Sequence, residues 1–197
     1  GKIVRALDLP DSEFLTGPLR FTDALVLAQR PEAARWKLAA FGRSDAKPRW
    51  ESDWTTGRLH LVTDTHAWIS DEGAGLFRSL DLKTGKPRWY FQLIRHDIWD
   101  MDVPTPPVLY DTTIGGRPRK GIAVMRTDGY LFLFDRVDGS PLLPIEERPV
   151  PQDPFQGTTP TQPFPVGGDQ VVPNCIEPWL MPPGFKPGFP SGIATPI

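Results

Sequence analysis

The chain of 197 residues carries a formal net charge of −2, with 22 Lys and Arg against 24 Asp and Glu, a balance that argues against a basic surface for nucleic acid or anionic lipid. Its 39% hydrophobic residues supply a core for one domain or one and a half, and no run approaches the roughly 20 apolar residues that span a bilayer. Prolines number 24 and glycines 18, which disfavours long helices, because proline removes a backbone donor and clashes in a helix interior.

The chain opens on Gly1-Lys2-Ile3-Val4-Arg5-Ala6-Leu7-Asp8, a pattern that reads as the middle of a folded element. No signal peptide is read there, and a mature or truncated start is expected. A strand is expected at 25–28, and the best helix candidate is the short stretch 31–37. Residues 36–50 then run from Trp36-Lys37-Leu38 to Lys47-Pro48-Arg49-Trp50. After a strand at 60–63, residues 75–89 repeat that pattern and end on Lys86-Pro87-Arg88-Trp89, a spacing of 39. A strand at 122–126 precedes a third copy at 129–139, and residues 3–8 resemble a partial one.

Each copy has one physical logic. Alternating apolar residues bury one face of a strand. An Asp followed by Lys-Thr-Gly or Val-Asp-Gly turns the chain, with glycine taking positive φ. A second strand follows, beginning with Arg-Trp in the first two copies. Repeated hairpins about 40 residues apart predict an all-β chain with the period of propeller blades. Trp50 and Trp89 occupy the same point of successive copies, so packing between blades is expected rather than stacking on a flat ligand. Residues 1–143 are read as a partial propeller of about three to four blades. Residues 144–197 hold 14 prolines in 54 residues and are read as an extended, irregular arm. Phe155, Phe164, Trp179, Phe185 and Phe189 are its expected anchors, and a peptide-recognition tail is the alternative.

The single cysteine, Cys175, excludes an internal disulfide, a CxxC redox pair, a Cys-rich zinc site and a CxxCH haem attachment. The histidines are His60, His66 and His96. Asp64 and His66 flank Thr65, where a metal is conceivable, although histidines scattered in this way also serve as hydrogen-bonded structural residues. Asp97, Asp100 and Asp102 cluster around Trp99, and either cap backbone amides in a connecting loop or belong to a site. No P-loop, GxSxG, HExxH or EF-hand pattern occurs.

From Asp81 to Pro165 the order of motifs carries a resemblance. It runs Leu80-Asp81-Leu82-Lys83-Thr84-Gly85, Arg95-His96-Asp97-Ile98-Trp99-Asp100, Phe134-Asp135-Arg136-Val137-Asp138-Gly139, Ile145-Glu146-Glu147-Arg148-Pro149-Val150-Pro151-Gln152 and Thr161-Gln162-Pro163-Phe164-Pro165. This resembles the PQQ-dependent (quinoprotein) glucose and alcohol dehydrogenases. The resemblance implies β-propeller blades around pyrroloquinoline quinone and Ca²⁺. It also implies a sugar or alcohol substrate, cytochrome c or ubiquinone as electron acceptor, and a periplasmic or extracytoplasmic location. A carboxylate serves as base for the substrate hydroxyl in that chemistry, and a hard cation polarises the quinone carbonyl.

Carried over by position, the catalytic base and a metal ligand fall on Asp71, with Glu72 adjacent and an ordinary loop acid as the other reading. The second metal position falls on Thr65, where the family has Asn. The quinone's cation position falls on Thr127, with Arg126 one step away. His96 and Asp97 lie in the element that the family places near the cofactor. Three to four blades do not close a propeller. The expectation is therefore a piece of a longer protein, or open edges covered by partner subunits. A non-catalytic propeller-like module with an eroded cofactor site is the alternative function.

Overall fold

The structure, a computed structural model, describes residues 16–32, 35–52, 58–71, 74–98, 101, 103–168, 170–171 and 183–184. The repeat-like start at 3–8, Glu72, Trp99, Asp100, Asp102, Cys175, Trp179, Phe185 and Phe189 lie outside the described residues. Thirteen strands and no helix occur among the described residues. They divide into two compact units, one within Gly1–Gly73 and Phe77–Phe91, the other within Ala74–Leu76 and Gln92–Ile197.

The first unit holds two four-stranded antiparallel meanders. One runs β1 (Thr16–Phe21), β2 (Leu25–Glu32), β3 (Arg35–Gly42) and β4 (Pro48–Glu51). The other runs β5 (Arg58–Val62), β6 (His66–Asp71), β7 (Leu76–Asp81) and β8 (Pro87–Gln92). The helix expected at 31–37 is instead the end of β2 and the start of β3, with Pro31 paired to Trp36 and Glu32 to Arg35. Seven residues make too short a helix to hold itself together, whereas the β2–β3 ladder runs as far as Glu32 and Arg35.

Leu27, Leu38 and Ala40 of the first sheet pack with Leu59, Ala67, Ile69, Leu80 and Leu82 of the second, so the two sheets share one core. Trp50 closes its edge. The indole Nε1 donates to Leu82 O at 2.7 Å, and the ring lies over Gly85, where a Cβ would sit 2.5 Å from Cε3. Trp89 is buried and tilts against Phe77, with centroids 6.0 Å apart.

The second unit holds a three-stranded meander of β9 (Val108–Ile114), β10 (Arg117–Met125) and β11 (Leu131–Asp135). A stub of a fourth strand follows, in which Phe134 bridges Pro141 and Leu142 N donates to Leu133 O at 2.8 Å. Within the proline-rich segment, β12 (Ile145–Pro149) and β13 (Thr161–Pro165) form a hairpin. Its tip is stapled by its own side chains: Gln152 Nε2 donates to Val150 O and Thr159 O, and Asp153 Oδ1 accepts from Phe155 N, each at 2.8 Å. Phe164 is buried edge-on to Tyr130 at 5.1 Å. Phe155, expected as an anchor, is 96% exposed, because the turn at the hairpin tip carries its ring away from the sheet.

Candidate functional site

Alternation along β6 sends Trp68 and Ser70 to one face, Ile69 and Asp71 to the other. Asp71 therefore ends the strand on the side of the shared core, where it is buried at 5% exposure. Arg78, on the neighbouring β7, brings its Nη2 to 3.8 Å from Asp71 Oδ2, and its side chain is only 19% exposed. This is a buried carboxylate beside a guanidinium, fixed by two strands. Such a group can accept a proton from a substrate hydroxyl that reaches it. The sequence marks Asp71 but not Arg78. The available signal is that an acid ending one strand and a base inside the next can meet diagonally across an antiparallel pair.

Thr65 does not share a metal with Asp71. Thr65 directly precedes β6 and Asp71 ends it, which puts them about 20 Å apart at ~3.3 Å per residue, whereas a calcium ion needs its oxygens within about 2.6 Å. The reason is the unbroken extension of His66–Asp71, which the sequence did not reveal as one strand. Thr65 belongs to an exposed side-chain chain instead. Its Oγ1 lies 2.7 Å from His66 Nδ1, and His66 Nε2 lies 3.1 Å from Arg88 Nη1. Arg88 Nε in turn donates to Asp81 Oδ2 at 3.1 Å. Arginine only donates, so His66 Nε2 is the acceptor and Nδ1 carries the hydrogen toward Thr65.

In the second unit, His96 and Asp97 share one loop. His96 is exposed with φ of 48°, a conformation that His adopts more readily than most non-glycine residues. Asp97 Oδ1 accepts from Met101 N at 2.9 Å. Gln162 pins the loop like a strand, accepting from Arg95 N at 2.8 Å and donating to Arg95 O at 2.7 Å. Arg95 also forks onto Glu147 with two 2.7 Å hydrogen bonds, and that guanidinium holds the Glu147 carboxyl below its usual range. His96 and Asp97 line a shallow cleft with Ile94, Ile98, Thr158, Thr159 and Gln162.

Thr127 is exposed in the β10–β11 turn, whereas Arg126 beside it is wholly buried. Its Nε and Nη2 engage the Asp128 carboxylate, and its Nη1 donates to Leu93 O and Pro163 O.

The described residues thus offer a placed carboxylate but not a complete cradle for the cofactors that the motifs imply. No three His, Cys, Asp or Glu side chains cluster as a metal requires among them. The neighbour of Asp71 is a cation, which opposes a dication. Arg126 has given its donors to the protein.

The family model described as PQQ, glucose/ethanol/alcohol dehydrogenase, β-propeller domain, matches residues 78–177. The chain is 42% identical over 88 residues to the quinoprotein glucose dehydrogenase of Escherichia coli, covering 44% of this chain and 11% of that protein. It is 39% identical over 104 residues to the glycerol dehydrogenase large subunit of Gluconobacter oxydans, covering 50% and 14%. The matched stretch therefore spans about an eighth of the length of these relatives. Among solved structures, the quinohemoprotein alcohol dehydrogenase of Comamonas testosteroni aligns with a TM-score of 0.49 at 17% identity, over 76% of this chain and 31% of that one.

Proposed function

The chain belongs to the PQQ glucose/ethanol/alcohol dehydrogenase β-propeller family, and from that premise we propose that it forms part of a quinoprotein dehydrogenase oxidising a sugar or an alcohol. Asp71 is the base. Its carboxylate takes the hydroxyl proton of the substrate as the carbinol C–H bond breaks, and Arg78 at 3.8 Å holds it in place. PQQ, when bound, supplies the two-electron acceptor. Calcium, the quinone's cation and the substrate pocket draw on residues beyond this stretch. In this reading the protein works in the periplasm or on an extracytoplasmic face and passes electrons to cytochrome c or ubiquinone.

The observation that carries the reading is a buried, arginine-paired carboxylate at the position where the family resemblance puts the base. The test uses the full-length protein, with PQQ and Ca²⁺, in dye-linked oxidation of glucose, glycerol and ethanol. Asp71→Asn keeps the shape and removes the base, so kcat falls by about 10² to 10⁴-fold while PQQ is still taken up. Activity within threefold of the parent removes Asp71 from the chemistry.

The separation of Thr65 from Asp71 and the full engagement of Arg126 favour a second reading, a non-catalytic propeller module with an eroded cofactor site. A full-length protein that takes up no PQQ by absorbance and reduces no dye selects it.

A further inference from the structure

Arg126 is among the largest fully buried side chains, with 0% exposure, and so is the carboxylate of Asp128 that pairs with it. Nε lies 3.0 Å from both Asp128 oxygens, and Nη2 lies 2.7 Å from Oδ2. Nη1 reaches Leu93 O at 2.8 Å and Pro163 O at 3.1 Å. Three rings enclose the guanidinium carbon, at 5.5 Å for Tyr130, 5.4 Å for Phe132 and 5.2 Å for Phe164, the geometry of desolvated cation–π contacts. One side chain thereby joins three segments distant in sequence: the loop starting at Leu93, the 126–130 turn and β13.

We propose that Arg126 is a permanently buried clamp that fixes these three segments together, and that it is not the cation through which this chain meets an anionic quinone. Turning the guanidinium toward a ligand strips the fully buried Asp128 carboxylate of its charged partner and leaves it the Tyr130 N–H at 3.3 Å, and a buried carboxylate without its counter-charge is strongly destabilising. The pair is neutral as a unit, so it projects little field toward an anion. The second half of the proposal rests on the quinoprotein reading. The first half stands without it.

Two measurements on the full-length protein decide the matter. The first treats it with an arginine-selective dicarbonyl reagent, with and without PQQ, and maps modified peptides by mass. Arg126 stays unmodified in both states and reacts once the protein is unfolded in urea. Modification without PQQ and protection with it overturns the proposal. The second replaces the pair with apolar side chains, Arg126→Met with Asp128→Leu, and titrates PQQ. The melting temperature stays within a few degrees, as apolar replacement of buried pairs allows, and PQQ affinity stays within twofold. A loss of tenfold or more in affinity at an unchanged melting temperature overturns it. Arg126→Met alone strands Asp128 and lowers the melting temperature by about 10 °C. An unchanged value there refutes the clamp. If the parent takes up no PQQ, the quinoprotein reading fails, and the reagent and melting data still decide the clamp.

Discussion

His60 lies on β5 at 6% exposure, with Nε2 2.9 Å from Ser70 Oγ and Nδ1 without a hydrogen-bond partner. Burial lowers its pKa from 6.5 to about 4, and the charge of Arg58 adds to the effect. Between those values the unfolded chain binds a proton that the folded chain refuses. Stability from this group is therefore complete above pH 6.5 and lost as pH falls toward 4. Urea unfolding at pH 7 and pH 4.5 reads this as a difference of about 2 kcal/mol, and His60→Leu shrinks that difference. An undiminished difference in the variant assigns the acid sensitivity to other groups. Such residues show how far the sequence could be read. Asp71 was visible through its neighbours in the chain, but its burial and its contact with Arg78 depend on the pairing of β6 with β7. Arg126 looked like a spare cation because one step of sequence separates it from Thr127. The turn sends one outward and the other into an aromatic box.

At the scale of elements, the three hairpin copies were legible because their turns are local chemistry. In each, the first turn residue accepts from the fifth and donates to the sixth: Gly42 with Ala46 and Lys47, Asp81 with Gly85 and Lys86, Asp135 with Gly139 and Ser140. The fifth residue is left-handed every time, with φ of 58° at Ala46, 70° at Gly85 and 77° at Gly139. Only the first copy places a side chain there, and an L-residue in that region costs ~1 kcal/mol. Ala46→Gly is expected to stabilise the protein by about 0.5–1 kcal/mol in chemical denaturation. Gly85→Ala acts oppositely, by about 2 kcal/mol or more, because its new methyl also meets Trp50. If Ala46→Gly destabilises, contacts of the Ala46 methyl with the Val26 and Phe41 cluster outweigh the backbone strain. The β12–β13 hairpin was illegible for the opposite reason. Pro149, Pro163 and Pro165 lack N–H groups and argue against a strand, yet a two-stranded ladder leaves two outer edges where a missing donor does no harm.

For the whole molecule, the repeat period was enough to read the blades, while the site was not, because a propeller site gathers residues from several blades. Within the first unit, the end of β6 carries a buried carboxylate; within the second, taken by itself, lie a pinned loop and a neutralised arginine. The stretch spans 11–14% of the two curated relatives compared above. Metal binding sharpens the point. A calcium ion takes six to eight oxygens, yet Thr65 and Asp71 are separated by the length of β6, and the nearer charge to Asp71 is Arg78. Calcium at 1 mM is therefore expected to leave the melting temperature of the 197-residue chain unchanged within about 1 °C, and, in the quinoprotein reading proposed above, to raise that of the full-length protein. A site of ~10 µM affinity contributes about 2.7 kcal/mol at a hundredfold excess, a rise of roughly 5–10 °C in a domain of this size. Such a rise in the 197-residue chain, abolished by Asp71→Asn, places a complete calcium site within these residues and contradicts the β6 geometry. A rise confined to the full-length protein, and reduced by Asp71→Asn, makes Asp71 one ligand of a site whose other oxygens lie beyond this stretch.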